Sequence, residues 1–394
     1  MAIMTSRDRV LASLDHREPD RVPLDLGGTE NTSIHMKAYR RLRPRLGLAE
    51  IEPAYLDFVQ QIALIDDDVA EAIGSDVRSA SESELRWADI EKMTTRTDDG
   101  YLAFHDEWGI GWRMPVDSGW YFDMFEHPLS GIISAGDLDA YPWPDLFASS
   151  VLLDFGNLRK RITDIAEREQ RAVALSQIGV TAGGPLELFT WLRGFEDAYI
   201  DLIADPVLAD RIIGRVADIK MAYWEKLLDA VGDVVDVVIE SDDLGGQDQP
   251  LISPDTYRRV VKPHHKRLYD FIHQRTRAKI FFHSCGAIRS MIPDLIEVGV
   301  DILNPLQVSA AGMDSAEVKR DFGRDLVFWG GGVDTQHVLG SGSPRDVRED
   351  VRRRLGDLMP GGGFVFATVH NIQGNVPEEN LIAMWETVRE YGKY

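Results

Sequence analysis

Cysteine is nearly absent from this chain: Cys285 is the only one in 394 residues. That excludes an intrachain disulfide framework and fits a reducing compartment. Long apolar runs are missing too. None approaches the roughly 18 residues of a membrane span, and the opening Met1-Ala2-Ile3-Met4-Thr5-Ser6-Arg7-Asp8-Arg9 has no apolar stretch of the kind a secretion signal carries, so a cytoplasmic protein is expected. Basic residues are in short supply, 43 Lys and Arg against 65 Asp and Glu, for a net charge of −22. Such a surface repels phosphate backbones and anionic headgroups, which argues against nucleic acid and membranes as partners. There is no G-x-S-x-G, no Walker lysine loop and no metalloprotease helix motif, which disfavours serine-hydrolase and NTP-dependent chemistry. What remains is an ordinary globular composition, 44% apolar and 27% charged, with enough side chain to bury a sizeable core.

The chain changes texture along its length. Five of the nine tryptophans lie between Trp87 and Trp143, with Tyr101, Phe104, Tyr121, Phe122, Phe125 and Tyr141 among them. Gly, Pro and Asp interrupt them without helical or alternating regularity, which predicts an irregular excursion that packs on a main body or roofs a pocket. From about residue 151 a rhythm sets in. Apolar runs at 172–176, 234–239, 279–282, 301–303, 326–329 and 364–368 alternate with helical spacing at 205–231, 255–276 and 343–359. That alternation predicts a parallel sheet with helical crossovers. A run at 21–26 supplies a further strand, and others lie hidden within 57–80. Seven or eight βα units favour a closed (β/α)8 TIM barrel over an open doubly wound sheet, which would need a Gly-rich turn after its first strand. Residues 1–150 then form an N-terminal extension with the first barrel strands and the aromatic-rich excursion, and residues 151–394 the remaining units of the same barrel.

The residues just after each apolar run carry the chemistry. Glu240-Ser241-Asp242-Asp243, His283-Ser284-Cys285-Gly286, Asn304-Pro305-Leu306-Gln307, Gly330-Gly331-Gly332-Val333-Asp334 and His370-Asn371-Ile372-Gln373 all follow predicted strands. In a parallel barrel they share the C-terminal rim, where active sites sit. His283 and Cys285, two apart at a strand end, point the same way, and imidazole plus thiolate is a good start for zinc. His370, at the end of the last strand, is a candidate third ligand, and Glu240 or Asp242 a fourth, unless that place is left to substrate. Taken singly, Cys285 is as well explained as a small buried residue and His370 as a loop histidine. His264-His265, among Lys262, Lys266 and Arg267, is expected on a solvated helix face.

At these residues the chain resembles the uroporphyrinogen decarboxylase superfamily, in the branch related to corrinoid-dependent zinc methyltransferases. The resemblance rests on Arg7-Asp8-Arg9-Val10-Leu11-Ala12 with His16-Arg17-Glu18-Pro19-Asp20-Arg21-Val22-Pro23, on His283-Ser284-Cys285-Gly286, Ile302-Leu303-Asn304-Pro305-Leu306-Gln307 and Gly330-Gly331-Gly332-Val333-Asp334, and on Val376-Pro377-Glu378-Glu379-Asn380-Leu381. It spans nearly the whole chain and implies a (β/α)8 barrel with an N-terminal extension. Two departures stand out. Where the decarboxylases carry an Arg-rich segment that grips substrate carboxylates, this chain has Leu24-Asp25-Leu26-Gly27-Gly28. Where the methyltransferases resemble H-x-C plus a distant second Cys, it has His370, which keeps zinc binding and makes the metal a stronger Lewis acid.

The reading that follows is a methyltransferase in which zinc on His283, Cys285 and His370 holds the heteroatom of a methylated substrate, and a corrinoid (cobalamin) on a partner protein exchanges the methyl group. O-demethylation of a methoxylated aromatic, or transfer from a methylamine or with a methyl thiol, would each fit. Asp242 is a further catalytic candidate. Asn304, Gln307, Asp334 and Asn371 are candidates for orienting substrate, and Trp108, in the aromatic stretch, for an apolar wall. A metal-free decarboxylase acting on a different acid, with Asp242 or His370 as proton donor, is the alternative, and a non-catalytic binding protein the third possibility.

Overall fold

The computed structural model describes residues 4–80, 85–131, 134–146, 155–176 and 183–394. The domain boundary expected at 150 lies outside the described residues. The strands are β1 (Tyr55–Asp57), β2 (Ile62–Ala63), β3 (Val77–Ser79), β4 (Thr95–Arg96), β5 (Tyr101–His105), β6 (Gly111–Pro115), β7 (Asp123–Glu126), β8 (Ala172–Leu175), β9 (Val237–Ser241), β10 (Lys279–His283), β11 (Ile302–Asn304), β12 (Val327–Trp329) and β13 (Phe364–Val365). Seven of them form one sheet in the order β13-β12-β11-β10-β9-β8-β3, and every pairing in it is parallel.

This is an α/β protein whose parallel sheet curls until its edges nearly meet. Residues 23–25 lie between those edges. The Phe366 N–H donates to the Pro23 carbonyl at 2.8 Å and the Asp25 N–H to the Phe366 carbonyl at 2.9 Å, while on the other side the Asp76 N–H donates to the Leu24 carbonyl at 2.7 Å. The apolar run expected at 21–26 thus takes a strand-like place, with Leu24 bridged in parallel to Phe366.

Strand alternation sorts the side chains into two cores. Val77, Ala172, Ala174, Val237, Ile239, Phe281, Ile302, Val327, Trp329, Val365 and Ala367 form one buried cluster inside the curl. Their neighbours in sequence, such as Val238, Ile280, Phe282, Leu303 and Phe328, join the larger cluster shared with the helices. The helix Ser6–Leu14, started by Thr5 accepting from the Asp8 N–H, inserts Val10 and Leu14 into the inner cluster. Ser13 fastens it by donating its hydroxyl to the Phe364 carbonyl at 2.7 Å.

The expected helices appear at Pro206–Val231, Lys262–His273 and Pro344–Leu358, the second preceded by π-helical turns at Tyr257–Val261. None of the described helices is long and apolar enough to cross a membrane. The aromatic stretch differs from the irregular excursion expected. It builds a four-stranded antiparallel sheet in the order β4-β5-β6-β7, whose Phe104 and Phe122 rings meet edge to face with Phe122 also against Phe58. Short strands broken by Gly and Asp turns carry too little periodicity to be read from sequence.

Candidate metal centre at the strand ends

His283 ends β10, and because Phe281 faces the inner cluster, His283 points inward one step higher. The turn that follows is pinned by three consecutive backbone donors. Ser284 N–H donates to the Asn304 carbonyl at 2.7 Å, Cys285 N–H to Asp243 Oδ1 at 2.8 Å and Gly286 N–H to Gln307 Oε1 at 2.7 Å. Gly286 has φ +89° and lies so close to Gly245 that a Cβ would sit 2.4 Å from its backbone, so only glycine fits there. The result is a rigid strand end that holds Cys285 Sγ 3.5 Å from His283 Nε2.

The tautomer of His283 follows from its partner. Asn304 Nδ2 donates to the Trp329 carbonyl at 2.7 Å, which fixes the amide, and Asn304 Oδ1 then accepts from His283 Nδ1 at 2.6 Å. The proton is therefore on Nδ1 and the Nε2 lone pair faces Cys285, the arrangement a metal-binding histidine needs. His370 arrives from beyond β13, its ring 5.3 Å from that of His283 at a steep angle. Burial, followed by the proximity of His283, lowers its pKa to about 4, so its ring is neutral at physiological pH. The ligand atoms of His283, Cys285 and His370 all lie within 4.8 Å of one another.

These residues suit zinc. Two imidazoles and a thiolate are its usual ligands, and tetrahedral bonds of about 2.0 to 2.3 Å set ligand atoms roughly 3.5 Å apart, a spacing His283 and Cys285 already have. Burial, with Asp243 and Glu187 adding to it, pushes the Cys285 thiol well up. Cys285 and His370 are partly exposed, so the group opens to solvent on one side.

The other sequence candidates are placed as follows. Glu240 does not join the group: it alternates with Ile239 and faces the helix layer, where Trp224 Nε1 donates to it at 2.5 Å and Lys220 Nζ lies at 3.2 Å. Asp242 is fully buried and already engaged, accepting from the Leu186 and Glu187 N–H groups at 3.0 and 2.6 Å and lying 2.5 Å from His265 Nε2. His265, expected on a solvated face, is completely buried, with Nδ1 3.0 Å from the Tyr257 hydroxyl. Asp334 caps the π-helical turn Thr335–Leu339 through the Gln336 and His337 N–H groups. Trp108 is buried in the turn between β5 and β6, where its backbone N–H donates to Asp106 and its carbonyl accepts from the Tyr141 hydroxyl. Gln307 spans from Gly286 to Gln247, and Asn371 donates to Gln60 Oε1 at 3.1 Å.

Several groups at the same rim escaped the sequence reading. Glu187 stands in the first turn of the helix Pro185–Arg193 and accepts from the Ser241 hydroxyl at 2.8 Å. Gly184 lets that helix start against the end of β9, since a Cβ there would lie 1.6 Å from the Ser241 carbonyl. Burial, then Asp243 and Asp242, raise the Glu187 carboxyl well above the usual range. Glu30 lies 3.4 Å from the Ser176 hydroxyl just past β8, and burial with Asp57 pushes it up to about 7. The one available signal was position: Glu30 follows the 21–26 run just as the other polar groups follow theirs.

Known proteins can be set beside this geometry. The family described as uroporphyrinogen decarboxylase (URO-D) matches residues 132–391, more than half of the chain. A uroporphyrinogen decarboxylase of Alkalilimnicola ehrlichii is 23% identical over 97% of this chain and 93% of its own length. One from Thermus thermophilus is 25% identical over 53% of this chain and 58% of its own. Among solved structures, a methyltransferase from Methanosarcina mazei superposes with a TM-score of 0.65 at 16% identity, covering 98% of this chain and 99% of that one.

Proposed function

The chain belongs to the uroporphyrinogen decarboxylase (URO-D) family, and within it we propose a methyltransferase that moves a methyl group between a small methylated substrate and the cobalt of a corrinoid carried by a separate protein. The observation that carries this reading is the convergence of His283, Cys285 and His370 at one strand-end rim. Zinc held there supplies a Lewis acid at the substrate heteroatom, whose negative charge grows as its bond to methyl breaks. The chain's own residues prepare the site. Asn304 fixes the His283 tautomer, burial keeps His370 neutral, and Asp243 and Gln307 hold the turn that aims Cys285. The full-length likeness to the Methanosarcina fold supports the architecture, which we take to be a closed (β/α)8 barrel with residues 23–25 as its eighth stave, working in the cytoplasm.

A carboxy-lyase acting on an acid is the second reading, supported by the names of the decarboxylase relatives. Against it, the segment Leu24-Asp25-Leu26-Gly27-Gly28 offers no arginine to grip a carboxylate. The experiment that tests the first reading is methyl transfer from methoxylated aromatics, methylamines and methyl thiols to free reduced cobalamin, with and without zinc. Zinc-dependent transfer from one of these classes is the expected result. Loss of carboxyl carbon as CO2 by metal-free protein, with no methyl transfer, would replace it with the second.

A further inference from the structure

Short hydrogen-bonded groups stand at intervals around the mouth of the curled sheet. Glu30 accepts from the Ser176 hydroxyl just beyond β8, and on the neighbouring strand Ser241 at the end of β9 donates to Glu187. Asp243 then holds the Cys285 N–H, Cys285 meets His283, and His283 meets Asn304. On the far side His370 is followed by Asn371, which donates to Gln60, and Gln60 Nε2 donates to Asp57 Oδ2 at 2.8 Å. Asp57 lies near enough to Glu30 for its charge to raise the Glu30 carboxyl further.

The trio His283, Cys285 and His370, which could hold a metal, marks this rim as a ligand site, and the charges beside the trio are of one sign. Glu30, Asp57, Glu187 and Asp243 are each only partly buried, unlike Asp242 and Glu240, which turn away to His265 and Lys220. Among the described residues, the charged groups acting on Glu30 and Glu187 are other carboxylates, Asp57 in one case and Asp243 with Asp242 in the other, with no lysine or arginine among them. Two buried acids away from the rim do have basic partners: Asp76 has Arg9 and Arg21, and Asp294 has Arg258 and Lys262. A partly open rim of unmatched carboxylates beside a metal group is completed by a positive ligand and repels a negative one.

We infer that the small molecule taken by this site is a cation: it carries an ammonium-type group held by Glu30, Asp57 and Glu187 while its methylated heteroatom lies against His283, Cys285 and His370. The inference rests on the methyltransferase reading for the role of the heteroatom, but its charge selectivity can be measured without turnover. Three probes share one methoxyaryl frame and differ in charge: 4-methoxyphenethylamine, protonated at neutral pH, 4-methylanisole, and 4-methoxyphenylacetate. Calorimetric titration of each into the full chain loaded with zinc should show the amine binding at least about tenfold more tightly than the acetate, with the gap narrowing as salt is raised. Glu30→Gln and Asp57→Asn, each close to isosteric and checked by circular dichroism, should each shrink that gap severalfold, so a variant that fails to fold leaves the other to decide.

Equal or tighter binding of the acetate, no binding of the amine, or a gap unchanged in a folded variant overturns the inference. Methyl transfer to reduced cobalamin is read separately on the same samples. Binding of the amine with no transfer from any methylated compound would leave the charge selectivity standing and remove the methyltransferase reading. Transfer from anionic substrates alone would do the reverse.

Discussion

The two ends of the curled sheet treat charge in opposite ways. At the N-terminal end, where the helix Ser6–Leu14 closes the curl, Asp20, Asp76 and Asp236 each have an arginine partner. Arg9 bonds Asp20 at 2.6 Å and Asp76 at 2.7 Å, Arg21 bonds Asp76 at 2.7 Å, and Arg7 bonds Asp236 at 2.9 Å. The bond from Arg9 holds Asp20 down at about 2. At the opposite rim carboxylates face carboxylates, and Glu30 is pushed up to about 7. Paired charges fix the chain, since a buried ion left without its partner is costly, whereas unmatched charges cost stability and persist where something else is to be bound.

The largest test of that contrast is at the closed end. Asp76 is fully buried and shared by two arginines, so Asp76→Asn should lower unfolding free energy by about 3 to 5 kcal/mol in a denaturant titration. A loss below about 1 kcal/mol, the scale of an exposed ion pair, would mean that this end is not held by its charges. At the rim, Asn304→Ala removes the group that fixes the His283 tautomer and should weaken zinc binding about 10- to 100-fold with the far-UV circular dichroism unchanged. Unaltered zinc affinity would show that Asn304 only packs.

The smallest effect runs with pH. Glu30 titrates near its ordinary value of 4.5 when unfolded and at about 7 when folded, so the folded state holds a proton that the unfolded state has released between those values. Stability contributed by this carboxyl is intact below about 4.5 and is lost as pH rises to about 7. Glu30→Gln should therefore match the parent at pH 4 and be the more stable of the two at pH 8. Parallel stability curves across that range would remove the unmatched carboxylate from the account.

Much of the scaffold was legible because apolar runs and helical spacing obey local rules. The strands at 279–282 and 326–329 and the helix near 206–231 lie where their patterns put them, and strand-end position was enough to bring out His283, Cys285 and His370. Glu240 shows where that logic slipped. With the strand taken to stop at 239, Glu240 became a rim residue, but β9 runs to Ser241 and alternation from Val237 and Ile239 sends Glu240 outward. His265 was hidden for a different reason: its basic neighbours suggest water, and its partner Asp242 is 23 residues away on another element. Glu30 and Glu187 likewise acquire meaning only when distant strand ends are brought together, which no local pattern encodes.

Metal analysis of the purified chain beside Cys285→Ser and His370→Ala bears most directly on the central claim that these strand ends form a zinc-dependent methyl-transfer site. The account predicts about one zinc per chain in the parent, a clear loss of zinc in both variants, unchanged circular dichroism, and methyl transfer that falls with the zinc. Zinc retained in both variants, or full transfer by zinc-depleted His370→Ala, would contradict it.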